Sequence, residues 1–136
     1  MKGEWHMRRF VSVVFVCLVL VASSGCISMS RGDKGFYREI EAAGLDVDAG
    51  RVKSPIVAAS LNLLPGFGNF YLAIGTDQGS QAIYGFLNFL VWPYSVLWGV
   101  PQAGIDARTI NKLETVYYYR YDSRGKAEFS AAAGQR

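Results

Sequence analysis

The sequence predicts an all-α, membrane-associated fold with an N-terminal signal helix, a two-helix apolar hairpin and a C-terminal amphipathic helix. Three observations lead to this prediction. An apolar run over residues 10–22 closely precedes Cys26. Between Lys53 and Asp106 the chain carries a single charged residue, Asp77, whereas a water-exposed domain normally distributes charge over its surface. Around and beyond Asp106, apolar residues recur at helical spacing with charged residues between them.

Residues 1–25 have the layout of an export signal. Residues 7–9 supply a basic start, and the apolar core over residues 10–22 is shorter than the ~20 residues that cross a bilayer as a helix. Small residues then lead to Cys26. This segment resembles the bacterial lipobox, which implies cleavage between Gly25 and Cys26 and attachment of acyl chains such as palmitate to Cys26.

The lipobox resemblance leaves alternatives open. Ser23 stands where that pattern usually has leucine or another branched apolar residue. Ordinary cleavage after Ser24 and an uncleaved anchor are therefore two alternatives to lipidation. Met7 is a second potential start, because an export signal does not need the residues before it.

Composition excludes several classes of function. From Cys26 onward, eleven basic residues balance ten acidic ones, so no basic surface for nucleic acid is expected. The only histidine, His6, precedes the apolar core, and Cys17 lies inside it. The remaining chain lacks the residues of an ordinary zinc site or of a Cys-His or Ser-His pair. We therefore expect no enzymatic activity, no metal and no cofactor.

Residues 26–53 are predicted to form a polar juxtamembrane segment. Its five basic residues balance five acidic ones. Asp33 is suited to cap a short helix that Gly44 would end. Residues 45–50 are then predicted to form a solvated loop.

Residues 54–105 are predicted to form the membrane hairpin. Pro55 suits the first position of a helix, whereas Pro65 with its neighbouring glycines must kink or interrupt that helix. Residues 75–80 form a polar turn, and the apolar run over residues 81–101 is about as long as a bilayer is thick.

Residues 106–136 are predicted to form an amphipathic helix followed by a loose, disordered tail. The apolar stripe begins at Ile105, and the helix should end near Tyr119. A small β-hairpin over residues 116–129 is the alternative. It is less favoured, because an isolated two-stranded hairpin is marginally stable.

The apolar region carries a series of short motifs. In order they are Leu64-Pro-Gly-Phe-Gly-Asn-Phe-Tyr-Leu-Ala-Ile-Gly75, Gly79-x-Gln81, Trp98-Gly and Asp106. This arrangement resembles the TM-two domain, a short membrane module of two helices joined by a tight turn. The resemblance covers about residues 54–111 and implies a helical hairpin without catalytic activity.

Two positions depart from the TM-two pattern. Asn69 stands where basic residues or histidine are common, and Ala73 replaces the usual glycine. Glycines permit close helix approach in lipid, and asparagines can hydrogen-bond between helices. The residues expected to form the hairpin packing and turn are Pro65, Gly66, Gly68, Asn69, Tyr71, Gly75, Asp77, Gly79, Gln81, Asn88, Trp98 and Asp106.

These features predict a small lipoprotein of the bacterial cell envelope, anchored in a membrane and exposed outside the cytoplasm. Its expected role is that of a membrane-embedded structural or protein-interaction module. The expected partners are the lipid bilayer and either a membrane protein or a second copy of the chain. The alternative is an accessory subunit of a membrane transport or pore assembly, in which Asn62, Asn88 and Asp77 line a polar path.

The topology signals conflict with each other. Lipidation of Cys26 would place both ends of the hairpin outside the cytoplasm. The positive-inside rule favours the opposite arrangement, because basic residues such as Lys53 and Arg108 flank the hairpin and its turn has none. A hairpin that enters only one leaflet would remove the conflict.

Overall fold

The computed structural model describes residues 2–23 and 26–134, and every regular element in these ranges is an α-helix. The all-α prediction is therefore confirmed over these ranges. None of their helices combines the length and the apolar content that crossing a membrane requires. The helices are α1 (Lys2–Ser23), α2 (Arg31–Ala42), α3 (Pro55–Leu61), α4 (Phe67–Ala73), α5 (Ser80–Leu90), α6 (Val96–Tyr121) and α7 (Ser123–Ala133).

The helix α2 begins three residues earlier than the predicted cap implies. Ser30 is the N-cap: its hydroxyl accepts a hydrogen bond from the Asp33 backbone N–H at 3.1 Å and donates to the Asp33 carboxylate at 2.7 Å. Asp33 thus completes a reciprocal capping pair instead of capping the helix itself. The predicted end is confirmed, because Gly44 adopts a left-handed φ of 69° just after the helix.

The apolar hairpin contains more helical segments than the predicted two. The helix α3 begins at Pro55 with Ser54 as its N-cap, and the break around Pro65 separates it from α4, as predicted. The run over residues 81–101 is not one helix, because α5 ends at Leu90 and α6 begins at Val96. Pro93 lies in this interval, and proline disrupts a continuing helix by removing an N–H donor and by steric conflict.

The helix α6 connects two hydrophobic clusters. It packs against α3 and α4 through Ala103, Ala107 and Ile110, and further along it packs against α2 and α7. The expected boundary between residues 105 and 106 therefore falls inside this helix. The first cluster is formed by Ala58, Leu72, Ala103, Ala107 and Ile110, and the second by Tyr37, Ile40, Val116 and Tyr119.

The predicted disordered tail is wrong over residues 123–133, which form α7. The Asp122 carboxylate caps this helix by accepting the backbone N–H of Arg124 at 2.9 Å. The Phe129 ring then packs on the Phe36 ring with 5.1 Å between centroids. Gly125 permits the close turn, since an added Cβ there would overlap the Tyr118 carbonyl oxygen.

We predict that Gly125→Ala lowers the free energy of unfolding by about 1–3 kcal/mol, because the new methyl group must displace α7 from α6. The measurement is urea unfolding of detergent-solubilised protein followed by far-UV circular dichroism. Gly35→Ala is the matched control, because a Cβ there meets no atom within 4 Å and alanine favours a helix interior. A loss of stability as large in Gly35→Ala as in Gly125→Ala would contradict the packing argument.

Candidate functional site

A line of polar side chains crosses the core between α4, α5 and α6. Asn88 donates through Nδ2 to Asn69 Oδ1 at 3.0 Å, and Asn69 donates through Nδ2 to Gln81 Oε1 at 2.7 Å. Gln81 in turn donates through Nε2 to Asp106 Oδ2 at 3.4 Å. At the other end, Trp98 donates through Nε1 to Asn88 Oδ1 at 3.2 Å. We call these five residues the buried network.

The two ends of the buried network fix the orientation of the amides between them. The Trp98 indole can only donate a hydrogen bond, and an ionised Asp106 can only accept one. Each amide therefore accepts on its Trp98 side and donates on its Asp106 side. Reversing one amide would place donor against donor, or acceptor against acceptor. Because Asn69, Gln81, Asn88 and Asp106 are each at most 1% exposed, water cannot compensate for such a mismatch.

The second oxygen of Asp106 binds the chain near its N-terminal end. Asp106 Oδ1 accepts the Ile27 backbone N–H at 2.8 Å, and the Ile27 side chain packs against the first hydrophobic cluster. Ile27 directly follows the expected lipidation residue, Cys26, whose side chain is exposed. The structure thus brings Cys26 and Asp106 together, although the sequence offered no signal that joins them. Ser24 and Gly25, which belong to the expected cleavage junction, lie outside the described residues.

Among the described residues, neutral groups hold the Asp106 carboxyl. Burial raises the pKa of Asp106 to about 6, against the lowering effect of the hydrogen bonds from Ile27 and Gln81. The Gln102 amide also favours the carboxylate, although its nitrogen does not reach hydrogen-bonding geometry with a described acceptor. In the described part of the chain, the ion pairs are Arg120–Asp33 and Arg124–Glu128, so no cation pairs with Asp106.

Glycines bring the helices around this network into close contact. An added Cβ on Gly66 would overlap the Gly85 carbonyl oxygen, and one on Gly68 would overlap the Ala58 carbonyl oxygen. Asn62, at the end of α3, forms hydrogen bonds to both α4 and α6. Its Nδ2 donates to the Gly99 carbonyl at 2.6 Å, and its Oδ1 accepts the Gly68 N–H at 3.0 Å.

The residues expected in the turn occupy more open positions. A Cβ on Gly75 or Gly79 would meet no atom within 4 Å. Gly75 has a φ of 69°, so glycine serves the turn conformation there rather than helix packing. Pro65 is half-buried in the break between α3 and α4, and Asp77 is exposed. Asp77 lines an open cleft of about 690 Å³ together with the Arg120–Asp33 ion pair.

Lys53 has a structural role that the sequence analysis missed. It is buried, and its Nζ donates to the backbone carbonyls of Tyr71 and Ile74 at the C-terminal end of α4. A cation is favourable at that end of a helix. Tyr71 also contacts the same segment, because its hydroxyl accepts the Ser54 backbone N–H at 3.0 Å. A lone lysine before an apolar run gives no sequence signal of such a contact.

Apolar side chains project outward from the helices that enclose the buried network. Folded soluble proteins expose single apolar residues, but seldom so many from one short region. The region therefore has polar groups inside and apolar groups outside. The outward residues, which we call the apolar surface, are each at least half exposed and comprise Ile56, Leu63, Leu64, Phe67, Ile74, Ile83, Phe86, Phe89, Leu90, Trp92, Leu97 and Ile105.

We predict that the stability of the full chain falls as pH rises from about 4 to about 6. The folded chain retains the Asp106 proton up to a pKa of about 6, whereas the unfolded chain releases it near the ordinary value of 3.8. The free energy of unfolding should therefore be about 3 kcal/mol higher below this range than above it.

The measurement is urea unfolding of residues 1–136 between pH 4 and pH 8, compared with Asp106→Asn. The difference between the two proteins isolates Asp106 from other acids, such as Asp33, whose pKa is lowered by its hydrogen bonds to Ser30 and Arg120. Asp77→Asn is the matched control in the exposed turn. An identical pH profile in the full chain and in Asp106→Asn would contradict the assignment.

Comparisons with protein-family models, with curated proteins and with solved structures find no match for this chain. The likeness to the TM-two domain remains a resemblance of sequence motifs. The features that bear on function are therefore the buried network, the apolar surface and the segment that follows Cys26.

Proposed function

We propose that this protein is a small bacterial envelope lipoprotein whose residues 54–105 act as a membrane-embedded structural or interaction module. The observation that carries the proposal is the distribution of polarity in this region. Amides and a carboxylate are buried, whereas bulky apolar side chains are exposed. Such a distribution is unfavourable in water but suits a lipid environment, where polar groups must find partners inside the protein.

The helix contacts support a lipid environment. Helices in lipid gain little from hydrophobic burial against each other, so close backbone approach and interhelical hydrogen bonds hold them together. The Gly66–Gly85 contact supplies close approach. The Asn62 amide and the buried network supply hydrogen bonds between helices.

The lengths of α3, α4 and α5 favour insertion into one leaflet. The helices α3 and α4 have 7 residues each and α5 has 11. At 1.5 Å per residue they are about 10 to 17 Å long, against about 30 Å for the hydrocarbon core of a bilayer. A module that enters one leaflet sends no turn across the membrane, so the positive-inside rule does not apply to its basic flanks and they do not conflict with lipidation.

The position of Cys26 and Ile27 is consistent with a lipid anchor next to this module. Cys26 is exposed, and the neighbouring Ile27 is fixed to the core through Asp106. Acyl chains on Cys26 would therefore enter the bilayer beside the embedded helices. In the full chain α1 packs against α5, and the Phe15 and Tyr94 rings lie 5.8 Å apart. Removal of α1 would free this surface for lipid or for a partner membrane protein.

The pore alternative receives less support from the geometry. A polar path through Asn62 and Asn88 requires their amides to face a lumen. Asn62 bonds to Gly99 and Gly68 instead, and Asn88 bonds to Trp98 and Asn69. We therefore favour a structural or interaction module over a transport accessory.

We predict that protein extracted from bacterial membranes has a mass that begins at Cys26 and includes acyl chains. The measurement is intact mass spectrometry beside a Cys26→Ala variant, which should retain residues 1–25 and carry no lipid. Cys17→Ala is the matched control, because Cys17 lies before the cleavage position and its loss should leave the mature mass unchanged. A full-length or unacylated mass for the unmodified sequence would overturn the lipoprotein proposal.

A further inference from the structure

The Asp106 carboxylate lacks a cationic partner within the described residues. Within the described residues its oxygens accept hydrogen bonds from the Ile27 backbone N–H and from the Gln81 amide, both of which are neutral. A buried carboxylate is normally paired with a cation, because desolvation of a lone charge is costly. Asp33, by contrast, pairs with Arg120, and Asp77 is exposed to solvent.

The missing cation can come from the chain itself. The Ile27 nitrogen lies 2.8 Å from Asp106 Oδ1, and the Cys26 nitrogen precedes it by one residue. Consecutive backbone nitrogens are at most about 3.7 Å apart, so the Cys26 nitrogen lies within about 6.5 Å of that oxygen. In the full chain this nitrogen is a neutral amide joined to Gly25.

Cleavage before Cys26 would change the charge of that nitrogen. Hydrolysis breaks the C–N bond between Gly25 and Cys26; the water oxygen bonds to the Gly25 carbonyl carbon, and a water hydrogen goes to the Cys26 nitrogen. The resulting α-amine takes up a further proton at neutral pH, because its ordinary pKa is about 7.7–8.0. A cation then forms one residue before Ile27, whose backbone nitrogen already donates to the Asp106 carboxylate.

We propose that Asp106 is the docking site of the processed N-terminus, where the Cys26 α-ammonium pairs with the Asp106 carboxylate. This inference rests on the proposed function, since it requires cleavage before Cys26. The pair fixes the lipid-bearing residue against the core, and it requires that the α-amine itself carries no acyl chain. The field of Asp106 already reaches this residue, because its charge adds to burial in raising the pKa of the Cys26 thiol.

The ion pair has a consequence for the buried network. A cation beside Asp106 stabilises the carboxylate, so the group stays ionised and continues to accept from both Ile27 and Gln81. Processing would thus complete the anion site at the end of the network. The fall in stability between pH 4 and pH 6 that we predict for the full chain should then be reduced or lost in the processed protein.

The test measures the pKa of the Cys26 α-amine in protein extracted from membranes. Intact mass is recorded first, to establish cleavage and acylation. The amine is then labelled with limiting acetic anhydride between pH 6 and pH 10, and the N-terminal peptide is quantified by mass spectrometry. Asp106→Asn is compared with the unmodified sequence, and Asp77→Asn is the matched control in an exposed turn.

We expect the α-amine pKa to lie at least one unit above its ordinary value in the unmodified protein and in Asp77→Asn. At pH 7 its labelling should be about tenfold slower than in Asp106→Asn, because one pKa unit corresponds to a factor of ten. If Asp106→Asn does not fold, the unmodified protein unfolded in urea provides the reference. Burial alone would lower an amine pKa, so a raised value in the folded protein identifies the ion pair.

Two results would overturn the inference and can be told apart. A full-length mass removes the proposed cleavage, and the docking site with it. A processed and acylated protein whose α-amine is itself acylated, or has an ordinary or lowered pKa, overturns the ion pair alone. In that case the lipoprotein proposal stands without a role for Asp106 at the N-terminus.

Discussion

The burial of one carboxylate, Asp106, constrains much of the surrounding structure. Its two oxygens need donors, and they receive them from Gln81 and from the backbone of Ile27. Because Gln81 donates to Asp106, its oxygen is the acceptor for Asn69, and the oxygen of Asn69 is in turn the acceptor for Asn88. The Trp98 indole then donates to the oxygen of Asn88. One anion therefore sets the relative positions of α4, α5, α6 and the segment after Cys26. Replacing any inner amide by an apolar residue would leave a neighbour without its partner.

This arrangement also accounts for the exterior of residues 54–105. Most of the amide side chains in this region form hydrogen bonds in the core, and the side chains exposed on its helices are mainly apolar. The glycine contacts are consistent with a lipid environment. Gly66 and Gly85 allow the backbones at the start of α4 and in α5 to approach closely, and this contact does not depend on hydrophobic burial. The helices α3, α4 and α5 are short for a bilayer. A position in one leaflet is compatible with their length, with the apolar exterior and with the glycine contacts.

Local signals predicted a good part of the fold. Pro55 begins a helix, Pro65 interrupts one and Gly44 follows the end of one, because proline and glycine act through their own backbone geometry. The contacts that sequence reasoning missed depend on distant residues. The bond between Ile27 and Asp106 joins positions 79 residues apart. Likewise, α7 packs closely on α6 because Gly125 leaves room for the Tyr118 carbonyl oxygen, and the sequence around Asp122 alone does not reveal that contact.

The central claim is that residues 54–105 lie in lipid, and spin-label depth measurements test it most directly. Spin labels are attached at Ile83→Cys and Leu97→Cys, whose positions are exposed on the apolar surface, and at Lys126→Cys in α7. In each variant the introduced cysteine is the one thiol available for labelling. Collision with oxygen should dominate for the first two in bilayers, and collision with a water-soluble nickel chelate should dominate for the third. Equal access of the nickel chelate to all three positions would contradict the account.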